Sequence, residues 1–326
     1  MDQGTSGDVS APLVSVVITS CNTGRYLPET LDSALAQTHR PIEVIVVDDG
    51  STDDTARRVE PYLDRIRFIQ RSHGGLAAAR NQGIAAARGA FVALLDADDL
   101  WVPEKLSVQV EIAQRLPASG MVACDGVEFG SPSSRPYLLS GAAAAALRRT
   151  RSGEVTADFH RAFIDHVGLR CPAQTLIPRA VLEHIGPFGD FDAQDYDYYL
   201  RLSARYPVTF HAHSLVRWRD REDSMSGRRS RRDLTWTRQR LVVLRSQARL
   251  RAQRYPAALE RQLIFSRAEA AFHYAALGSK RYAFRALRML LARQPWPPTA
   301  LPFLVATMTP HAARRVHWLW SRYGRS

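Results

Sequence analysis

Through its first third the chain alternates short apolar runs with longer stretches whose apolar positions recur at helical spacing. Val14–Thr19 is a β-branched run and predicts a strand. Between Arg25 and Gln37 the positions Tyr26, Leu27, Leu31, Ala34 and Leu35 then predict a helix. Glu43–Val47 predicts a second strand, Asp53–Tyr62 a helix, Ile66–Gln70 a third strand, Leu76–Ala87 an alanine-rich helix and Phe91–Leu95 a fourth strand. Strands that are apolar throughout and separated by helices belong to a largely parallel sheet covered on both faces. The expected fold class is therefore α/β.

In such sheets ligands gather beyond the carboxyl ends of the strands, and the polar clusters of this chain fall at those ends. Thr19-Ser20-Cys21-Asn22 follows the first strand, Asp48-Asp49-Gly50-Ser51 the second, and Asp96-Ala97-Asp98-Asp99 the fourth. Thr19, Ser20 and Asn22 offer short hydrogen-bonding groups that suit either a nucleotide or a helix cap. A carboxylate such as Asp48 or Asp49 accepts the imide N–H of a pyrimidine, although Asp-Gly turns also form without any ligand. The third cluster is the most demanding. Carboxylates crowded at the end of an apolar strand repel one another unless a cation or water compensates them, and Mg²⁺ or Mn²⁺ bridges carboxylates to substrate phosphates. An exposed acidic turn before Trp101 or Pro103 is the plainer alternative.

Taken in order, Val14–Thr19, Glu43–Asp53, Gly74-Gly75-Leu76-Ala77-Ala78-Ala79-Arg80-Asn81 and Leu95–Asp99 resemble the inverting family-2 glycosyltransferases with a GT-A fold. The likeness is dense over residues 12–110 and resumes at 186–226. It implies a Rossmann-like, mostly parallel central sheet flanked by helices, with a helical C-terminal extension. It also implies a nucleotide-sugar donor site: Thr19 and Asp49 at the base, Asp48 shaping the pocket, Arg80 near the donor, Asp98 as principal metal carboxylate, and Asp96 supporting ribose or metal. Where the family carries Pro-Thr-Tyr-Asn this chain has Thr19-Ser20-Cys21-Asn22, which removes an aromatic stacking surface for the base. UDP is the leading donor carrier, with dTDP and GDP left open.

The second half must supply the base. Gln194-Asp195-Tyr196-Asp197-Tyr198 resembles the family's Glu-Asp-Tyr-Asp-Leu segment and aligns Asp195 with the catalytic aspartate. Direct displacement needs one positioned carboxylate to take the acceptor proton. Asp195 serves that role, or else it caps the helix expected over Tyr196–Ser203. Further on, Val216-Arg217-Trp218-Arg219 lacks the histidine of the family's Tyr-Arg-x-His loop, leaving Arg217 or Arg219 to meet the diphosphate through a guanidinium fork. His211 and His213 have the alternate spacing of one strand face and are as well explained as surface histidines as by a metal.

Two other classes stay in view. A nucleotidyltransferase uses similar metal carboxylates, and a nucleotide- or nucleic-acid-binding regulatory protein uses the strand-end clusters or the basic residues without a base. The expected organisation is a catalytic domain over residues 1–226, with a donor half at 12–110 and an acceptor and base half at 111–226, then a basic helical region over 227–326. The acceptor would be a saccharide, a lipid-linked species or another hydroxyl compound. Cys21, Cys124 and Cys171 are too scattered for a disulfide framework. No stretch reaches the roughly 20 apolar residues of a membrane span, so a cytoplasmic protein is expected.

Charge changes this picture at one end only. The net charge is +12, and residues 217–326 hold 24 Lys or Arg against 6 Asp or Glu. Helical patterns at Thr235–Arg254, Ala257–Leu277 and Lys280–Leu291 carry apolar stripes that suit packing on the catalytic domain or on a partner subunit. Trp296, Phe303, Trp318, Trp320 and Tyr323 stand among basic residues, a combination that fits peripheral contact with the inner face of an anionic membrane. The intact protein is expected to float with anionic liposomes at low salt and to be released at high salt. A folded, active protein that ignores such liposomes at low salt would exclude this contact.

Overall fold

All seven residues of β1, Val14–Ser20, are buried, as a strand must be when both faces of its sheet are covered. β2 (Ile42–Asp49) pairs parallel to β1 on one side and β4 (Phe91–Asp96) pairs parallel to it on the other, with β3 (Arg67–Arg71) beyond β2. The structure, a computed structural model, describes residues 11–221 except 131–133, 135–138, 140, 165–168, 170 and 191–192, together with Leu241, Val243, Leu244, Leu263, Ser266 and Arg281.

The connecting helices α1 (Leu27–Leu35), α2 (Thr55–Val59) and α3 (Leu76–Ala86) fall where the apolar spacing predicts them. The helix expected over Asp53–Tyr62 is interrupted: a 3-10 turn takes over at Glu60–Tyr62, where Pro61 has no N–H to continue the ladder. Helix α3 lies so close to the sheet that a Cβ on Gly83 would sit 2.3 Å from Val17 Cγ1. Only glycine permits that approach.

Beyond β4 the sheet becomes mixed, with antiparallel pairings except for β6 and β9, which run parallel. β5 (Leu100–Trp101) leads into α4 (Lys105–Arg115) and then the long β6 (Met121–Phe129). After α5 (Gly141–Leu147), β7 (Glu154–Ala157) and α6 (His160–Ile164) come β8 (Thr175–Pro178), α7 (Arg179–Ile185), α8 (Gln194–Ser203) and β9 (Val208–Arg219). The nine-stranded sheet has the order β3-β2-β1-β4-β8-β6-β9-β5, with β7 on β9. Strand β8 is the hinge of this arrangement, pairing antiparallel to both β4 and β6. The α/β layering expected from the sequence is present.

The chain divides into two compact units, one of residues 1–162, 167–190 and 198–220, the other of residues 163–166, 191–197 and 221–326. The core of the first joins β1, β2, β4, α1, α4 and β6 through Val16, Ile18, Leu31, Val46, Leu95, Trp101, Leu106 and Val122. Lys105 is buried within it. Its ammonium donates to Gln109 Oε1 at 2.7 Å and to the Thr175 carbonyl at 3.3 Å, and it lies 4.0 Å from the Trp101 ring centroid. Burial pushes its pKa down to about 8. In the second unit, Tyr196 donates to the Ile164 carbonyl at 3.1 Å.

Among the described residues no helix is long and apolar enough to cross a membrane. The helical patterns and aromatics read between Thr235 and Tyr323 lie outside the described residues, apart from the few positions named above.

His211 on β9 carries a pH prediction. It is 1% exposed, and neither ring nitrogen has a hydrogen-bond partner. Burial first, then the neighbouring His213 and Lys105, push its pKa down to about 3. The folded chain therefore holds a neutral imidazole, whereas the unfolded chain binds a proton below its ordinary pKa of about 6.5. The stability this group contributes is full above about pH 6.5 and is lost as pH falls toward 3. Denaturant unfolding at pH 7, 5 and 4 should show that His211→Phe flattens this acid loss. Parallel pH profiles for variant and wild type would remove His211 as its source.

Candidate functional site

The register β2-β1-β4 brings the three polar clusters side by side at the carboxyl ends of adjacent parallel strands: Ser20 is level with Asp48, and Thr19 with Asp96. Thr19 Oγ1 lies 3.5 Å from Asp96 Oδ1, and the Ala97 N–H donates to the Thr19 carbonyl at 3.2 Å. The first and third clusters are thus one surface.

Asn22 ties the first cluster to the second. Its side-chain carbonyl accepts from the Thr52 N–H at 2.8 Å and the Asp53 N–H at 3.3 Å, and its own N–H donates to Ser51 Oγ at 2.8 Å. It adopts φ 52°, a left-handed conformation that asparagine tolerates better than most residues. Asp48 is buried and accepts from the Ser51 hydroxyl. Asp49, 2% exposed, takes the N–H groups of Gly74 at 3.0 Å and Gly75 at 2.8 Å, one on each oxygen. Arg71 Nη1 lies 3.0 Å from Oδ1 as an ion pair without hydrogen-bond alignment, and His73 Nδ1 lies 2.9 Å from Oδ2. Gly50 makes the turn here at φ 72°; a Cβ there would meet the His73 backbone N at 2.7 Å.

The sequence gives no sign of a partner for Cys21. The fold supplies one from a distant loop, His73, whose Nδ1 is 3.8 Å from the exposed sulfur. Burial, then Asp49, Asp48 and Asp53, hold the Cys21 thiol above its ordinary pKa. This environment keeps it protonated and argues against a nucleophile.

Arg80 projects from α3 and is 1% exposed. Its Nη2 donates to Asp96 Oδ1 at 2.9 Å, and its guanidinium carbon is 5.8 Å from the Phe188 ring centroid. Asp96 ends β4, and the turn that follows is held from several sides. Thr30 Oγ1 of α1 lies 3.0 Å from both the Ala97 and Asp99 carbonyls. Asp98 is half-buried. Asp99 is buried, one oxygen accepting the Arg219 N–H at 3.0 Å and the other without a hydrogen-bond partner. Burial, followed by Asp98 and Asp96, holds its carboxyl well above the ordinary range.

From β9, Arg217 is exposed, with its guanidinium carbon 4.7 Å from the Phe129 ring centroid. Arg219 turns inward and donates through Nε to the Asp98 carbonyl at 2.9 Å and through Nη2 to Glu29 Oε2 at 2.5 Å. Asp195 lies in the first turn of α8 and is half-buried, as is Asp197. Gln194 beside them is buried, with Oε1 unpaired. The later part of α8 is anchored through Arg201, which donates to the Ile185 and Pro187 carbonyls at 2.8 Å each, and through Tyr198, stacked on Phe188 at 4.2 Å.

Residues 15–186 match the family described as Glycosyl transferase family 2. The chain belongs to that family. Among curated relatives, an uncharacterized glycosyltransferase of Rickettsia prowazekii is 37% identical over 37% of this chain and 38% of its own length. One of Rickettsia felis is 31% identical over 65% of this chain and 35% of its own length. The chain thus spans under two fifths of these relatives. Solved structures with the same fold include Staphylococcus aureus TarS 1–349 in complex with UDP-GlcNAc (TM-score 0.56, 16% identity, 96% of this chain and 92% of that one). The mannosyltransferase PcManGT from Pyrobaculum calidifontis, in complex with GDP-Man and Mn²⁺, has TM-score 0.55 and 19% identity, covering 98% of this chain and 89% of that one. The family-2 fold is the α/β GT-A type.

The donor set at the turn fits a hard divalent ion. Among the described residues no three His, Cys, Asp or Glu side chains converge on one point. Mg²⁺ and Mn²⁺ are commonly held by one or two carboxylates plus substrate phosphates and water, so Asp98 with Asp96 meets the requirement. His211 and His213 lie 5.4 Å apart, centroid to centroid, as an edge-on pair on β9. Sequence reasoning missed Thr30, Glu29, Arg71 and His73: the first two sit in an ordinary amphipathic helix, Arg71 ends β3 and His73 lies in the loop after it, and none belongs to a local motif.

Proposed function

We propose that this family-2 protein transfers a sugar from a nucleotide-diphosphate sugar to a hydroxyl acceptor with inversion at the anomeric carbon. The observation that carries the reading is the convergence of Thr19 and Arg80 on Asp96 beside the Asp48 and Asp49 turn. Thr19, Asn22, Asp48 and Asp49 border the base and ribose, with UDP as the leading carrier. Asp98 and Asp96 hold Mn²⁺ or Mg²⁺, which when bound offsets the charge of the departing diphosphate. Arg80 orients Asp96 through its hydrogen bond to Oδ1. Arg217, exposed at the end of β9, is the guanidinium open to the diphosphate.

Asp195 is the general base. It takes the proton from the acceptor hydroxyl as the new bond to the anomeric carbon forms and the bond to the diphosphate oxygen breaks. Gln194 cannot ionise and hydrogen-bonds the acceptor or Asp195. The acceptor is a saccharide, a lipid-linked species or another hydroxyl compound, met by residues 111–226. The basic region from 227 onward would hold the protein at the inner face of an anionic membrane. A metal-dependent nucleotidyltransferase would use the same carboxylates but would release pyrophosphate.

A donor panel read as released nucleoside diphosphate, with and without Mn²⁺, tests the reading, and pyrophosphate release would replace it with nucleotidyl transfer. Asp98→Asn should abolish most metal-dependent donor use, because it removes a charge while keeping the size. Turnover near wild type with unchanged Mn²⁺ dependence would count against that role. Asp195→Asn should lower kcat by about 10²- to 10⁴-fold with little change in donor affinity. Equal losses in both would move the base elsewhere, and retention in the product would overturn direct displacement.

A further inference from the structure

The turn carrying Asp96, Asp98 and Asp99 joins β4 to β5, yet it is held from the far end of the first unit. Arg219, the last residue of β9, reaches it through two separate donors and ties it to α1 through a third. Its backbone N–H meets Asp99 Oδ1 at 3.0 Å, its Nε meets the Asp98 carbonyl at 2.9 Å, and its Nη2 meets Glu29 Oε2 on α1 at 2.5 Å. The guanidinium carbon lies 4.5 Å from the Phe129 ring centroid and 5.0 Å from that of Tyr26, and the side chain is 16% exposed. Aromatic faces favour such a cation and also limit its rotation.

These contacts complete a set. The Ala97 and Asp99 carbonyls face Thr30 Oγ1 from α1, and the carbonyl between them, that of Asp98, is fixed by Arg219 from β9. The single Thr30 hydroxyl proton is shared between the Ala97 and Asp99 carbonyls, whereas the Asp98 carbonyl has a donor of its own, so Arg219 sets the peptide plane that follows Asp98 and with it the direction in which the Asp98 side chain leaves the turn. A planar guanidinium can hold the Asp98 carbonyl and the Glu29 carboxylate at once; an ammonium is a single point and cannot reproduce that fork.

We propose that Arg219 is a positioning residue for the carboxylate turn, aiming Asp98 by clamping its carbonyl between β9 and α1. The metal consequence rests on the reading of Asp98 as the metal carboxylate. It has a sign that distinguishes a clamp from a charge. If Arg219 acted only as a nearby cation, removing it would relieve repulsion and tighten divalent-ion binding. A clamp predicts the reverse.

The test uses the full chain, with Arg219→Gln, Arg219→Lys and Glu29→Gln. Hydrogen exchange of a peptide covering residues 94–101 should speed up in both Arg219 variants, with exchange in β1 and β2 unchanged. Mn²⁺ binding in the presence of UDP, followed by the electron paramagnetic resonance of the free ion, should weaken about tenfold, as when a support behind a metal ligand is lost. Lysine should not restore it. Arg219→Lys keeps the charge and loses the fork, so it tests the clamp even if Arg219→Gln fails to fold, and Glu29→Gln should speed exchange of the same 94–101 peptide.

Tighter or unchanged Mn²⁺ binding in the Arg219 variants, or full rescue by lysine, would overturn the proposal while leaving the metal reading intact. Faster exchange without weaker Mn²⁺ binding would overturn it too, because the clamp would not aim Asp98. A wild type that takes up no Mn²⁺ with UDP would overturn the metal reading instead, and the exchange rates alone would then decide whether Arg219 holds the turn.

Discussion

Everything in the site depends on how the chain accommodates three carboxylates in four residues at the end of a buried strand. Asp96, Asp98 and Asp99 follow Leu94 and Leu95, whose surroundings exclude the water that would otherwise screen them. Without compensation such a turn would take up protons or unravel. The fold compensates Asp96 with the buried Arg80 and Asp99 with the Arg219 N–H. The second carboxylate oxygen of Asp99 has no hydrogen-bond partner, so compensation at its position is incomplete. Asp96 and Asp98 are half-buried where Asp99 is buried, which leaves those two able to meet a ligand cation.

The sheet topology makes this possible. Parallel strands present all their carboxyl ends on one edge, so β2, β1 and β4 deliver their polar clusters to the same place although 77 residues separate Thr19 from Asp96. Helix α3 must then pass close to the sheet for Arg80 to reach Asp96, and Gly83 one turn later removes the Cβ that would prevent it. Close packing and electrostatic compensation are one requirement seen from two sides.

The second cluster follows a different rule. Asp49 is almost completely buried and receives the Gly74 and Gly75 N–H groups, with Arg71 and His73 beside it. These donors come from the segment leading into α3, so the acidic turn after β2 and the start of α3 are cross-linked through one carboxylate. A base entering this neighbourhood would meet an arrangement already ordered by the protein. Pre-organisation of that kind lowers the entropic cost of binding.

Local patterns in the chain determined the alternation of strands and helices through residue 96, the polar character of each strand end, and the identity of the acidic turn. Those properties depend on periodicity and on residues adjacent in sequence, so they were legible without a structure. The break in the helix at Pro61 was legible in principle as well, from the missing N–H. What only the tertiary structure decided was which distant groups meet: His73 beside Cys21, Thr30 under the turn, Arg80 on Asp96, and Arg219 reaching back 121 residues to the Asp98 carbonyl. The antiparallel insertion of β8 between β4 and β6 belongs to the same category, because strand order is set by long-range pairing. Arginine 219 shows the difference most clearly. In the sequence it is one of two arginines set to meet a diphosphate, and only the closing of β9 onto β5 and β6 brings its guanidinium to the Asp98 carbonyl and Glu29, contacts that no local pattern foretells.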